Sequence, residues 1–122
     1  MTIYQLKTFV RFARGQKIAA KGLIEAIERA ERGLVDADLG GGLIKQRVAR
    51  QGQGRGGGYR MMIAFRSGNF SVFLFGFAKS DESNIDDRQL GVLRRIATAW
   101  LSADAASIKK AVEQGELIEV TP

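Results

Sequence analysis

Five residues suited to phosphate chemistry stand between positions 45 and 79 of the sequence. They are Lys45, Arg47, Tyr59, Arg60 and Lys79. Arginine holds a phosphate through two hydrogen bonds and stabilises the extra negative charge of a pentavalent transition state. A lysine crowded by other cations is partly neutral near pH 7 and can then act as a general base on a ribose 2′-hydroxyl. These residue types therefore indicate a phosphodiester site, with an electrostatic surface for an acidic partner as the alternative interpretation.

The basic charge of the chain is concentrated around these residues. No acidic residue occurs between Asp38 and Asp81, whereas seven cations do, and they include Arg50, Arg55 and Arg66. The formal net charge of the chain is +6, so the sequence outside this stretch is close to neutral in total. Such localised charge predicts a polyanionic partner, either a nucleic acid or an acidic protein.

The cations are carried by apolar runs of strand length. Three such runs within the basic stretch are separated by Gly, Ser and Asn, which is typical of an antiparallel meander. Because side chains alternate between the two faces of a strand, Lys45 and Arg47 should share one face. By the same rule, Arg60 should point away from Tyr59. The last run, residues 70–77, is almost wholly apolar and is predicted to be a central strand.

Helical periodicity flanks this sheet on both sides. We predict a first strand at residues 3–6, helices at 7–14, 17–32, 87–101 and 104–113, a loop at 36–42, and an apolar tail at 117–120 that could add a sheet edge or dock on a partner. Leu34 should continue the apolar face of the second helix. With 45% hydrophobic residues, the 122-residue chain can bury one modest core, so residues 1–122 are expected to form a single domain. The predicted fold class is α+β, with a small twisted antiparallel sheet, two N-terminal helices packed on one face and a C-terminal helix.

Missing residue types exclude several classes of function. The chain contains neither His nor Cys, so it lacks the usual ligands of zinc, copper and haem as well as the nucleophiles or bases of the common catalytic triads. We therefore expect neither a metal nor a cofactor. The N-terminus has no signal-peptide pattern, and no run approaches the roughly 18 apolar residues of a membrane span, so a cytoplasmic protein is predicted.

Two further patterns have simpler explanations than a ligand site. Gly52, Gly54 and Gly57 match G-x-G-x-x-G, but they lead into a strand, whereas a dinucleotide fingerprint opens a helix. We interpret this loop either as a flexible lid that carries Arg55 beside the basic face or as a long hairpin connection. The acidic residues within 81–87 are expected to cap a helix rather than to hold Mg²⁺.

The order of these pieces resembles the RelE and HigB toxins of bacterial type II toxin-antitoxin systems, within the RelE/ParE superfamily. The segments that carry the resemblance are Lys45-x-Arg47, Gly58-Tyr59-Arg60 and Phe77-Ala78-Lys79-Ser80, followed by an acidic run. The resemblance implies an endoribonuclease that cleaves mRNA, often on the translating ribosome, and so inhibits translation. It also implies a cognate antitoxin, of helix-turn-helix type, as partner. The oligomeric state, a homodimer included, stays open.

The resemblance places catalytic roles on Lys45, Arg47 and Arg60, and it gives Lys79 the basic position at the end of the apolar strand. Ser80 stands where RelE has an arginine, and no tyrosine follows near position 86. Either Tyr59 or the Lys and Arg residues alone would then complete the site.

The other cations of the stretch are expected to bind RNA; these are Arg50, Arg55 and Arg66. Two other functions remain open, because fold alone does not give the target. One is a ParE-like poison of DNA gyrase that cleaves no RNA. The other is a basic RNA-binding domain without catalysis.

Overall fold

The computed structural model describes residues 1–50 and 57–122, and for residues 82–84 it describes the backbone alone. Its helices are α1 (Lys7–Gly15), α2 (Ala20–Glu31), α3 (Asp87–Ser102) and α4 (Ala105–Glu113), with a 3-10 helix at Lys79–Asn84. Its strands are β1 (Ile3–Leu6), β2 (Ala37–Asp38), β3 (Leu43–Val48), β4 (Tyr59–Phe65), β5 (Ser71–Ala78) and β6 (Leu117–Glu119). The predicted α+β class is confirmed, and the predicted helices occur within a few residues of their expected bounds.

One mixed sheet of six strands, in the order β2-β3-β4-β5-β1-β6, forms the middle of the molecule. From β3 to β5 the strands form the expected antiparallel meander, and β2 pairs antiparallel with β3 at its edge. The sheet is not antiparallel throughout, because β1 joins β5 in parallel and then pairs antiparallel with β6. The apolar tail therefore does add a sheet edge, and β5 is central as predicted.

Helices cover both faces of this sheet. On one face, α1 and α2 bury a core that includes Phe9, Leu23 and Ile27 against Met61 and Phe73 of the strands. On the other face, α3 and α4 pack on a second core. Its members include Leu43, Met62, Leu74, Ala97, Leu101 and Ile108. The C-terminal part thus supplies two helices to the face opposite the N-terminal pair.

The segment after α2 differs from the prediction. Leu34 does not extend the apolar face of α2, because the helix ends at Glu31 and Gly33 turns the chain with φ 82°, which leaves Leu34 exposed. Ala37 and Asp38, predicted to lie in a loop, form the short edge strand β2 beside β3.

Helix α3 begins where the acidic residues were predicted to cap a helix. The Asp86 carboxylate accepts a hydrogen bond from the backbone N–H of Gln89 at 2.8 Å, and the Gln89 side chain accepts one from the Asp86 N–H at 3.0 Å. This reciprocal pair is a capping box, which satisfies two donors that the first turn leaves unpaired. Within the part of the chain that the structure describes, no helix is long and apolar enough to cross a membrane.

Candidate nucleic-acid interface

Strand register brings the predicted cations together on the face that also carries α3 and α4. Arg47 pairs with Arg60 across β3 and β4, and Arg60 pairs with Phe77 across β4 and β5. Directly opposed residues on one face have Cβ atoms about 5 Å apart. Lys45 lies two residues before Arg47 on the same side of β3. We call Lys45, Arg47 and Arg60 the cation row.

Exposure differs along the cation row. Arg60 is only 7% exposed, whereas the Arg47 side chain is 48% exposed and Lys45 is intermediate. Phe75, which pairs with Met62 in the neighbouring register position, is 41% exposed. The buried guanidinium of Arg60 therefore places positive charge at the floor of this surface.

Phe75 is the aromatic neighbour of these cations. Its ring centroid lies 6.1 Å from that of the buried Phe77, which is its neighbour on the same face of β5. An exposed ring on a packed support is a surface on which a nucleobase can stack, and stacking beside cations is a common way to bind single-stranded RNA. Sequence reasoning missed Phe75 because the apolar β5 run predicted only core positions.

Lys79 begins the 3-10 helix just after β5 and is exposed. Its backbone N–H donates to the Gly58 carbonyl at 3.1 Å, which holds it beside the start of β4. The structure therefore places Lys79 at the same end of the sheet as Arg60.

Tyr59 does not join the cation row. Strand alternation turns it to the opposite face, where it is buried and its hydroxyl donates to Gln16 Oε1 at 3.1 Å. The guanidinium of Arg50 lies over the Tyr59 ring, 5.1 Å from the centroid, so Arg50 also belongs to that side. An edge-to-face contact with Phe12 packs the same ring. The Tyr59 side chain therefore has a packing role on the opposite face, while the Tyr59 backbone carbonyl accepts a hydrogen bond from Arg60 Nη1 at 3.4 Å.

The two remaining predicted RNA-binding residues stand elsewhere. Arg66 follows the far end of β4, about 20 Å along the strand from Arg60 at roughly 3.3 Å per residue. Arg55 and most of the proposed Gly-rich lid, residues 51–56, lie outside the described residues.

Asp36 is a residue of this site that sequence reasoning missed. Its carboxylate accepts hydrogen bonds from the Arg47 backbone N–H at 2.7 Å and from Arg47 Nη2 at 3.0 Å. Burial alone would raise the pKa of the Asp36 carboxyl, but these hydrogen bonds and the charges of Arg47 and Arg29 together lower it. Asp36 therefore stays ionised and fixes the direction of the Arg47 side chain.

Arg29 on α2 secures this arrangement from the other face. It is buried although it is charged. Its Nε donates to Glu25 Oε1 at 2.8 Å, its Nη1 donates to Asp36 Oδ2 at 3.3 Å, and its Nη2 donates to the Arg47 carbonyl. A buried guanidinium is tolerated only when such partners satisfy it. No local sequence signal identifies Asp36 and the Arg47 carbonyl as partners, because both lie outside α2.

The fold and the site together define a class of small α+β proteins that present a row of cations on one face of a mixed sheet. A protein-family model described as the RelE toxin of the RelE / RelB toxin-antitoxin system matches residues 1–120. The chain therefore belongs to the RelE toxin family, as its sequence resemblance predicted. Searches among curated proteins and among solved structures give no significant match.

Proposed function

We propose that this protein is the toxin of a type II toxin-antitoxin system and cleaves mRNA as a metal-independent endoribonuclease. The observation that carries the proposal is the cation row, in which strand register sets Arg47 directly opposite Arg60 beside an exposed Phe75. Membership of the RelE toxin family supports the same function.

Each residue of the row has a role in this proposal. Arg60 and Arg47 hold the scissile phosphate and stabilise the charge that develops on its oxygens. Lys45 removes the proton of the ribose 2′-hydroxyl, whose oxygen then attacks the adjacent phosphorus. The bond to the 5′-oxygen of the next nucleotide breaks, and that oxygen takes a proton from solvent. Lys79 adds positive charge at the end of the row.

Phe75 supplies the binding surface for a base next to the cleaved bond. Base stacking on an aromatic ring contributes about 1–3 kcal/mol and tolerates different bases. This arrangement assigns no chemical step to Tyr59, since that residue faces the opposite core.

The proposed partners follow from the family. The description of the matching model names RelE together with RelB, and we infer a cognate antitoxin protein that neutralises this toxin. Translated mRNA on the ribosome is the proposed substrate, in the cytoplasm.

The test is induction of the protein alone in a bacterial host, with growth followed and the 5′ ends of several messages mapped by primer extension. We expect new ends within coding regions and arrested growth. Lys45→Ala should lower the cleavage rate by about 10²–10⁴-fold, the usual contribution of a general base. Arg66→Ala is the matched control, because it removes an exposed cation just after β4 and far from the row, and it should cleave normally.

Two outcomes would contradict the proposal. Growth arrest with intact messages and altered DNA supercoiling would indicate a gyrase-type poison. Full cleavage by both Lys45→Ala and Arg60→Lys would show that the reaction takes place elsewhere on the molecule.

A further inference from the structure

A second basic surface lies on the opposite side of the sheet. The first 24 residues contain five cations and no acidic residue, although the sequence outside the central stretch is nearly neutral in total. The structure exposes all five. These residues, called here the α1 ridge, are Lys7, Arg11, Arg14, Lys17 and Lys21.

Helix geometry aligns the first three members of the ridge. Lys7, Arg11 and Arg14 have i, i+4, i+7 spacing and so project from one side of α1, about 10 Å from first to last. Phe9 and Ala13 occupy the opposite side and are buried on the sheet. The stripe is therefore held rigidly toward solvent.

The ridge continues through the turn between α1 and α2. Lys17 stands in this turn with φ 56°, and Lys21 lies in the first turn of α2. Both line a groove of about 630 Å³ that Tyr59 and the acidic Glu25 also border. Tyr59 immediately precedes Arg60 in β4, so the groove reaches the end of the sheet where Arg60 lies, on the face opposite the cation row.

The composition of the ridge indicates the chemistry of its partner. The exposed large apolar residues of the described chain are Met1, Leu34, Phe75, Val92, Val112 and Ile118, and none belongs to the ridge. Protein interfaces usually have an apolar and aromatic centre, whereas the phosphate backbone of a nucleic acid is bound by Lys and Arg without regard to sequence. Glu119, which lines a shallow groove with Arg14, limits the positive surface toward β6.

We propose that the α1 ridge binds the sugar-phosphate backbone of RNA at nucleotides remote from the cleaved bond. This inference rests on the proposed ribonuclease function and extends it. The ridge supplies affinity and no group to the reaction, so its loss should raise KM and leave kcat unchanged.

The test measures binding of the full-length protein to a single-stranded RNA that carries 2′-O-methyl groups throughout and so resists cleavage. The variant replaces Lys7, Arg11 and Arg14 by Gln, which keeps helix propensity. Each lost phosphate contact should reduce the slope of log K against log salt by about 0.7, so we expect a decrease of about 2. A second variant, Lys17→Gln with Lys21→Gln, should reduce the slope by about 1.4.

The control replaces three exposed cations on α3 and α4 by Gln, namely Arg95, Lys109 and Lys110. It changes net charge equally and should leave the salt slope near the wild-type value. An equal loss in both triple variants would show a general charge effect and overturn the ridge. Unchanged RNA binding with weakened binding of an acidic protein would overturn it too. Because the RNA cannot be cleaved, the ridge and the ribonuclease function can fail independently.

Discussion

The buried amide of Gln46 offers a quantitative test of how the edge of the sheet is held. Gln46 on β3 is 0% exposed. Its Oε1 accepts from the Asp36 N–H at 2.7 Å, and its Nε2 donates to the carbonyls of Ala26 at 2.9 Å and Leu34 at 3.1 Å. One side chain therefore ties α2 and the 34–36 segment to β3.

The substitution Gln46→Met keeps an unbranched side chain of similar length but removes all three hydrogen bonds. The Ala26 carbonyl lies inside α2 and can keep its helical bond, so its loss is small. The Asp36 N–H and the Leu34 carbonyl are left without this partner, at about 1–2 kcal/mol each. We expect the free energy of unfolding to fall by about 2–4 kcal/mol in total.

The assay is urea unfolding followed by the fluorescence of Trp100, the one tryptophan of the chain. The exposed Gln114→Met is the control and should change the free energy of unfolding by less than about 0.5 kcal/mol. A loss below about 1 kcal/mol for Gln46→Met, with an unchanged dependence on urea, would refute the reasoning because it would mean that water replaces these bonds readily.

Two further predictions concern stability. Because the native pKa of Asp36 is lowered, its contribution to the free energy of unfolding is fully present above the ordinary carboxyl pKa of about 3.9 and is lost as pH falls through the lower native value. The melting temperature of Asp36→Asn should therefore depend less on pH in that acidic range than that of the wild type. An equal pH dependence of the two proteins would contradict the assignment. At Gly42, φ is 86° and an added Cβ would overlap Leu101, so Gly42→Ala should cost about 2–4 kcal/mol in thermal unfolding. Gly68, with φ 77° but open surroundings, is its matched control and should cost about 1 kcal/mol; equal losses would show that backbone strain alone operates.

Local patterns were sufficient for much of the fold and for part of the site. Strand alternation depends only on neighbouring residues, and it correctly placed Lys45 and Arg47 on one face and separated Arg60 from Tyr59. The alternation of side chains also explains why the Tyr59 side chain, although adjacent to Arg60 in sequence, is distant from the reaction proposed here. Adjacency along a strand places two side chains on opposite faces.

Features that depend on distant partners could not be predicted. The parallel pairing of β1 with β5 joins segments separated by most of the chain, and no local periodicity specifies it. The burial of Arg29 likewise depends on Asp36 and the Arg47 carbonyl, which reach it only after the sheet forms. The α1 ridge was not apparent from the composition, because acidic residues elsewhere outside the central stretch cancel its charge in the total.

The hydrogen bond from the Arg47 N–H to Asp36 also affects how the chain behaves among its own copies. An unpaired strand edge attracts other chains, because its free N–H and C=O groups can template a new strand. The two residues of β2 are too few to cover β3, and a side-chain carboxylate occupies the donor that β2 does not reach. This N–H of β3 is therefore not available to pair with a strand of another copy at that edge of the sheet.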